Sequence, residues 1–399
     1  MKPARSLLLV ASTSLALFML GGGVAVRVGA GDASYRQVVL FSEVLSLVME
    51  NYVDPVDVDR LLDGAYEGLL GGLDPNGAYL TPDEMAEWRS GSDDGATAGP
   101  GITVLKSGRS LQVVAVEPDS PAERAGIEVG DQIRAVGGRP VQDLSLAQAW
   151  RLIHGPPGTV VTVHRLELEE GFQRNEIELE RVVPKTPAWG LDVVKGIAVL
   201  TVRDVEGIDA DKLAVELEHA RSRGVERLLL DLRNAVDLEP RRAAKVASLF
   251  ASGTLLRLRD RSGRLVEVVE SDDDGAAWPG LVAILVNGAT AGSAEALAEV
   301  LHVTRSATVL GTSTYGFGAE SKLFPLDNGA GLVVSASLWE SSTGESWNGD
   351  GIEPDQAVRG EGSTFEEIST DQLEKALAVV ETLGEADAEP KVAPPSEAA

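Results

Sequence analysis

The spacing of apolar and polar positions changes character three times along the chain. Residues 7–26 form an almost unbroken apolar run after Lys2 and Arg5, interrupted by Ser12, Thr13 and Ser14 and by Gly21, Gly22 and Gly23. Such a run reads as an export signal cleaved near Val28-Gly29-Ala30 or, at about 20 residues, as an uncleaved anchor, and both readings stand. Val39, Phe41, Val44, Leu45 and Val48 then recur at helical spacing over 36–52. A second helix is predicted over 59–70. Leu73-Asp74-Pro75-Asn76-Gly77 makes a turn. Thr81 with Glu84 is a capping box that opens a third short helix. The small, polar stretch 90–99 marks a boundary.

From Gly101 to about Val183 the pattern becomes short strands, at 113–116, 132–136 and 160–164, with one helix over 145–153. This predicts a small β-rich module. From about Gly196, buried-type strands (197–202, 227–232, 281–286, 308–311) alternate with helices (211–222, 241–250, 293–301). That alternation predicts an α/β core with crossover helices. A last helix is predicted over 365–383, and the Pro-, Ala- and Glu-rich end reads as disordered.

Composition narrows the chemistry. The formal net charge is −27, so phosphate backbones are repelled and nucleic acid is not expected as a partner. Cysteine is absent, which excludes disulfides, thiolate metal sites and a thiol nucleophile. The four histidines, at 154, 164, 219 and 302, form no metal-binding spacing, and neither metal nor cofactor is expected. Asp272-Asp273-Asp274 reads as a solvated loop.

Several phrases, in order, resemble the C-terminal-processing (tail-specific) serine proteases, peptidase S41 type. They are Tyr52-Val53-Asp54-Pro55, Leu73-Asp74-Pro75, Ser120-Pro121-Ala122 with Ala125-Gly126-Ile127, Gly130-Asp131-Gln132-Ile133, Leu230-Asp231-Leu232-Arg233-Asn234 and Gly351-Ile352-Glu353-Pro354-Asp355. The resemblance implies a mixed α/β (α+β) multidomain chain. Its expected parts are a signal peptide or anchor (1–33), a helical N-terminal region (34–92), a PDZ domain (97–184), an S41 protease-like core (185–360), a C-terminal helix (361–384) and a disordered tail (385–399). It also implies a serine nucleophile, a lysine base and a glycine-rich oxyanion turn.

This chain departs from that chemistry. Counted back from Glu295, the nucleophile position is Gly292, and the base position in Tyr315-Gly316-Phe317-Gly318 is Phe317. The 25-residue separation of 292 and 317 matches the family's spacing. The supporting position is Ser321. The oxyanion turn reads Asn234-Ala235-Val236-Asp237-Leu238, which sets a carboxylate where negative charge would develop. A relocated nucleophile, Ser293 with Lys322 as base, is the alternative; Ser293 otherwise caps the helix that begins there. The PDZ turn matching the family's carboxylate cradle is Gly99-Pro100-Gly101-Ile102. Pro100 has no N–H, which leaves Gly99, Gly101 and Ile102 as peptide-binding residues. Trp150 is expected on a core face with Leu146 and Ile153. The sequence therefore predicts an exported pseudoprotease, periplasmic or otherwise extracytoplasmic, soluble or anchored by one N-terminal segment. Its expected partners are peptides or protein C-termini, an active protease or an envelope protein, with a homodimer through the N-terminal helices.

Overall fold

Continuous apolar runs such as Ile197-Ala198-Val199-Leu200 and Leu281-Val282-Ala283-Ile284-Leu285 must be covered on both faces, and here they are. The computed structural model describes residues 32–90, 98–166, 174–272 and 277–383 and divides into two units, 1–64 and 65–399. The predicted signal or anchor up to residue 31, the boundary over 91–97, Asp273-Asp274 and the tail over 385–399 lie outside the described residues. The first unit contains helix α1 (Asp32–Asn51), along which Val38, Phe41, Val44 and Leu47 are exposed. Helix α2 spans Val58–Gly71. Among the described residues no helix is long and apolar enough to cross a membrane.

In the second unit, strand β1 (Ala78–Leu80) and helix α3 (Pro82–Ser90) precede a β-rich module. That module is an antiparallel sheet of β2 (Ile102–Ser107), β3 (Ser110–Val116), β4 (Gln132–Val136), β6 (Val160–Leu166) and β7 (Arg174–Glu180), in that order, with β5 (Arg139–Pro140) beside β4. The short helix α4 (Pro121–Arg124) is capped by Ser120. Helix α5 (Leu146–Ile153) opens on a capping box of Ser145 and Gln148 and buries Leu146, Ala149 and Ile153 on the sheet.

The core sheet has the order β19 (Gln356–Ala357), β16 (Thr308–Gly311), β14 (Leu281–Val286), β10 (Arg227–Asp231), β9 (Ile197–Val202), β8 (Trp189–Val194). It is parallel except for the edge pair β8–β9. Side-chain alternation sorts its residues by face. Leu228 and Leu230 join α6 (Ala210–Ser222) and α8 (Ser293–Arg305) in one cluster, while Leu229, Ala283 and Leu285 join α9 (Phe365–Thr382) in another.

A further sheet was not foreseen: β12 (Thr254–Asp260), β13 (Leu265–Glu270) and β18 (Gly331–Ser341), with β17 (Ala319–Pro325) and β1 alongside β18. The region predicted as wholly helical, 34–92, therefore lends a strand to this sheet, pairing Ala78 with Val333. The helix predicted over 241–250 is a 3₁₀ turn (Pro240–Arg242) and the short α7 (Ala243–Ala247). Between these elements lie β11 (Val236–Asp237) and β15 (Ala291–Gly292), a two-residue parallel pair.

Candidate functional site

Strand β15 turns into α8 at Gly292, whose φ of +67° and ψ of −112° suit glycine alone. A sharp strand-to-helix turn is where hydrolases of several folds seat a nucleophile. Here the turn carries no side chain, and none fits. A Cβ built on Gly292 would lie 1.7 Å from the Asp237 carbonyl oxygen. The cause is the pairing of β11 with β15, which lays residues 236–237 directly on 291–292.

Glu295, fully buried one turn into α8, fixes this arrangement. Its carboxylate accepts from the N–H groups of Gly292 (2.9 Å), Gly316 (2.6 Å) and Phe317 (2.7 Å) and from the Thr314 hydroxyl. Burial pushes its pKa up, opposed by those four hydrogen bonds. The carboxylate thus ties the helix start to the segment that carries the expected base position.

Phe317 at that position is buried and joins Val236, Ala289 and Ala291 in the apolar cluster of the β-rich module. Its neighbour Tyr315 donates its hydroxyl to the Lys106 carbonyl on β2 (3.1 Å), and burial raises its pKa to about 12. Ser321 is exposed on β17, as is Lys322, whose ammonium stands 5.4 Å from the Phe324 ring centre.

Ser293 is fully buried and donates to Asp237 Oδ2 (3.0 Å). The helix cap is Gly292, so Ser293 is not the cap the sequence suggested; its hydroxyl is drawn off by the carboxylate beside it. Among the described residues no lysine is hydrogen-bonded to it, and Lys322 is exposed on β17, which separates the two members of the relocated dyad. Asp237 borders the cleft that opens beside this centre, but its carboxylate is already engaged. Its Oδ1 accepts from Arg242 (2.9 Å) and the Glu239 N–H (3.0 Å). Burial raises its pKa while Arg242 holds the charge. Arg242 is the residue the sequence reading missed; an arginine five residues after an acid was the available signal. The hydroxyl of Thr290, two residues before Gly292, is buried on the Leu232 carbonyl (2.9 Å).

Beside this filled centre a cleft of about 760 Å³ opens between the β-rich module and the carboxyl ends of β9 and β10. Ligands of open α/β sheets gather at that end of the strands. Gly101 and Ile102 line it, together with Trp150, His154, Arg203 and Arg233. Gly99 also borders it, but its N–H donates to the Val182 carbonyl (3.1 Å) and is not available to a carboxylate.

Strand addition beside β2 is restricted as well. Trp150 is half-buried and packs, as expected, against the cluster that holds Leu146 and Ile153, and its indole N–H also reaches the Val104 carbonyl (3.0 Å), two residues before the carbonyl that Tyr315 occupies. Alternate carbonyls of a strand point the same way. Two acceptors on one side of an edge strand are therefore already occupied.

Residues 196–358 match peptidase family S41 and residues 112–164 match a PDZ domain. The chain is 26% identical over 332 residues to a carboxy-terminal-processing protease of Bartonella bacilliformis, covering 82% of this chain and 76% of that one. It is 24% identical over 352 residues to carboxy-terminal processing protease CtpA of Bacillus subtilis, covering 86% and 74%. Its fold is similar to that of a photosystem II D1 C-terminal processing protease (TM-score 0.57, 23% identity, 80% of this chain and 92% of that one).

Proposed function

The chain belongs to the C-terminal-processing proteases of peptidase family S41 and carries a PDZ domain, and from that premise we propose that it is a non-proteolytic member that holds polypeptide C-termini. One observation carries the reading: the Asp237 carbonyl oxygen stands where a side chain at position 292 would have to be. With Phe317 buried at the other dyad position, neither nucleophile nor base is supplied, and a serine-protease mechanism loses several orders of magnitude without them. The cleft beside Gly101 and Ile102 supports retained binding. The occupied edge of β2 favours capture of a chain end over addition of a full strand.

The competing reading is an active protease using Ser293. It requires a hydroxyl reachable by substrate, whereas Ser293 is buried on Asp237. Incubation of the purified protein with an unfolded protein substrate separates the two. No turnover is expected. Turnover abolished by Ser293→Ala would overturn the proposal.

Two further expectations belong to the same reading. Export rests on the N-terminal sequence pattern. Homodimerisation through the N-terminal helices rests on the exposed apolar residues of α1 and predicts a dimer mass by sedimentation equilibrium.

A further inference from the structure

The turn at Gly99–Ile102 is short of donors for a carboxylate. Pro100 has no N–H, and the Gly99 N–H is bonded to Val182. A side chain stands at this deficit. The His154 ring packs so closely on Gly99 that a Cβ there would lie 2.9 Å from Nε2, and His154 lines the same cleft as Gly101 and Ile102. Its other nitrogen, Nδ1, is 2.9 Å from the Trp150 carbonyl, and Trp150 stacks on the ring at 5.1 Å between centroids. A carbonyl can only accept, so Nδ1 carries the proton. In the neutral ring Nε2 is then a lone pair; in the imidazolium it is a donor with a charge.

We propose that His154 Nε2 completes the carboxylate cradle of the Gly99–Ile102 turn, so that the cleft holds a polypeptide C-terminus more tightly when the imidazole is protonated. This rests on the reading of the chain as a C-terminus binder. The neutral ring would turn a lone pair toward the carboxylate; the protonated ring gives it a charge-assisted hydrogen bond. Burial, with the nearby Arg181, lowers the pKa of His154, while its bond to Trp150 works the other way. Arg181 is the charged group brought against the ring by the segment after β7. Arg151, on α5 itself, is turned onto Trp88. The acids Glu117, Asp204, Glu206, Asp231, Asp237 and Glu239 and the arginines Arg203, Arg233 and Arg242 also line the cleft, and burial raises the pKa of Asp237, so the His154→Gln variant is what separates the histidine from these groups. The peptide carboxylate stays ionised above about pH 4, so the change in affinity near neutrality belongs to the protein.

The test uses the full chain and a rhodamine-labelled hexapeptide ending in valine, as free acid and as C-terminal amide. Fluorescence anisotropy should give about tenfold tighter binding of the free acid at pH 5.5 than at pH 8, as one pKa unit of coupling requires. The amide should bind weakly at both values, and His154→Gln should flatten the pH dependence. In the unmutated protein, the free acid and not the amide should raise the pKa of one of the four histidine NMR signals, the one missing in His154→Gln. The pKa change is read on the unmutated protein, and the signal is assigned with whichever of His154→Gln and His154→Asn keeps the native circular-dichroism spectrum. Free-acid binding that is independent of pH, or pH dependence that survives His154→Gln, would overturn the role of His154 and leave peptide binding standing. Equal binding of acid and amide would overturn carboxylate recognition. Binding of neither peptide at any pH would bring down the proposed function with it.

Discussion

Gly292 and Gly101 are alike in backbone and unlike in surroundings. Both have positive φ, +67° and +85°, and both are crowded: a Cβ on Gly292 would meet the Asp237 carbonyl oxygen at 1.7 Å, and one on Gly101 would meet Ser120 Cβ at 2.2 Å. Behind Gly292 lies a paired backbone and a buried carboxylate network. Beside Gly101 lies a cleft. A tight glycine marks close approach; what approaches it decides whether the place can do chemistry. On the proposed reading, the turn into α8 is a nucleophile site that the fold has filled, whereas the PDZ turn has fewer donors and keeps its space.

The sharpest challenge to this contrast is Gly292→Ser. Strain at that φ and ψ, added to overlap with backbone, should cost about 5 kcal/mol of stability, read from denaturant midpoints. Combined with Phe317→Lys it should give no peptidase activity. A stable, active double variant would show the centre to be open. Next, Glu295→Ala should cost about 4 kcal/mol, because it leaves three buried N–H groups without their acceptor. Gly101→Ala should cost about 3 kcal/mol and also weaken peptide binding, through its overlap with Ser120. Were Gly101→Ala harmless to binding, the PDZ side of the comparison would fail.

The smallest effect is expected at the contact between the two regions. Tyr315→Phe removes the bond to the Lys106 carbonyl and should cost about 1 kcal/mol. Its pH signature is distinctive. The folded pKa of about 12 lies above the ordinary 10.0, so this contribution is intact below pH 10 and is lost as pH rises through 12. Tyrosinate absorbance should show that late titration, and it should vanish in Tyr315→Phe.

Much of the fold was legible in the sequence. The parallel strands and α8 announce themselves as long apolar or helically spaced runs. The sheet of β12, β13, β17 and β18 does not. Leu265-Val266-Glu267-Val268-Val269-Glu270 and Glu320-Ser321-Lys322 expose much of their surface, so their polar residues read as loop. Helical spacing placed Trp150 on the face it shares with Leu146 and Ile153, but not the Val104 carbonyl that its indole N–H meets.

The sequence by itself determined the family, the order of elements, and the residues at positions 292 and 317, because these are matters of spacing and identity along the chain. The tertiary structure alone decided what stands around them. Ser293 meets Asp237 across 56 residues, Tyr315 meets Lys106 across 209, and His154 comes to rest on Gly99. Such contacts depend on how strands β11 and β15 pair and how the PDZ domain packs on the core. A polar side chain's partner is chosen by the packing that brings the two together, and no local pattern carries that information.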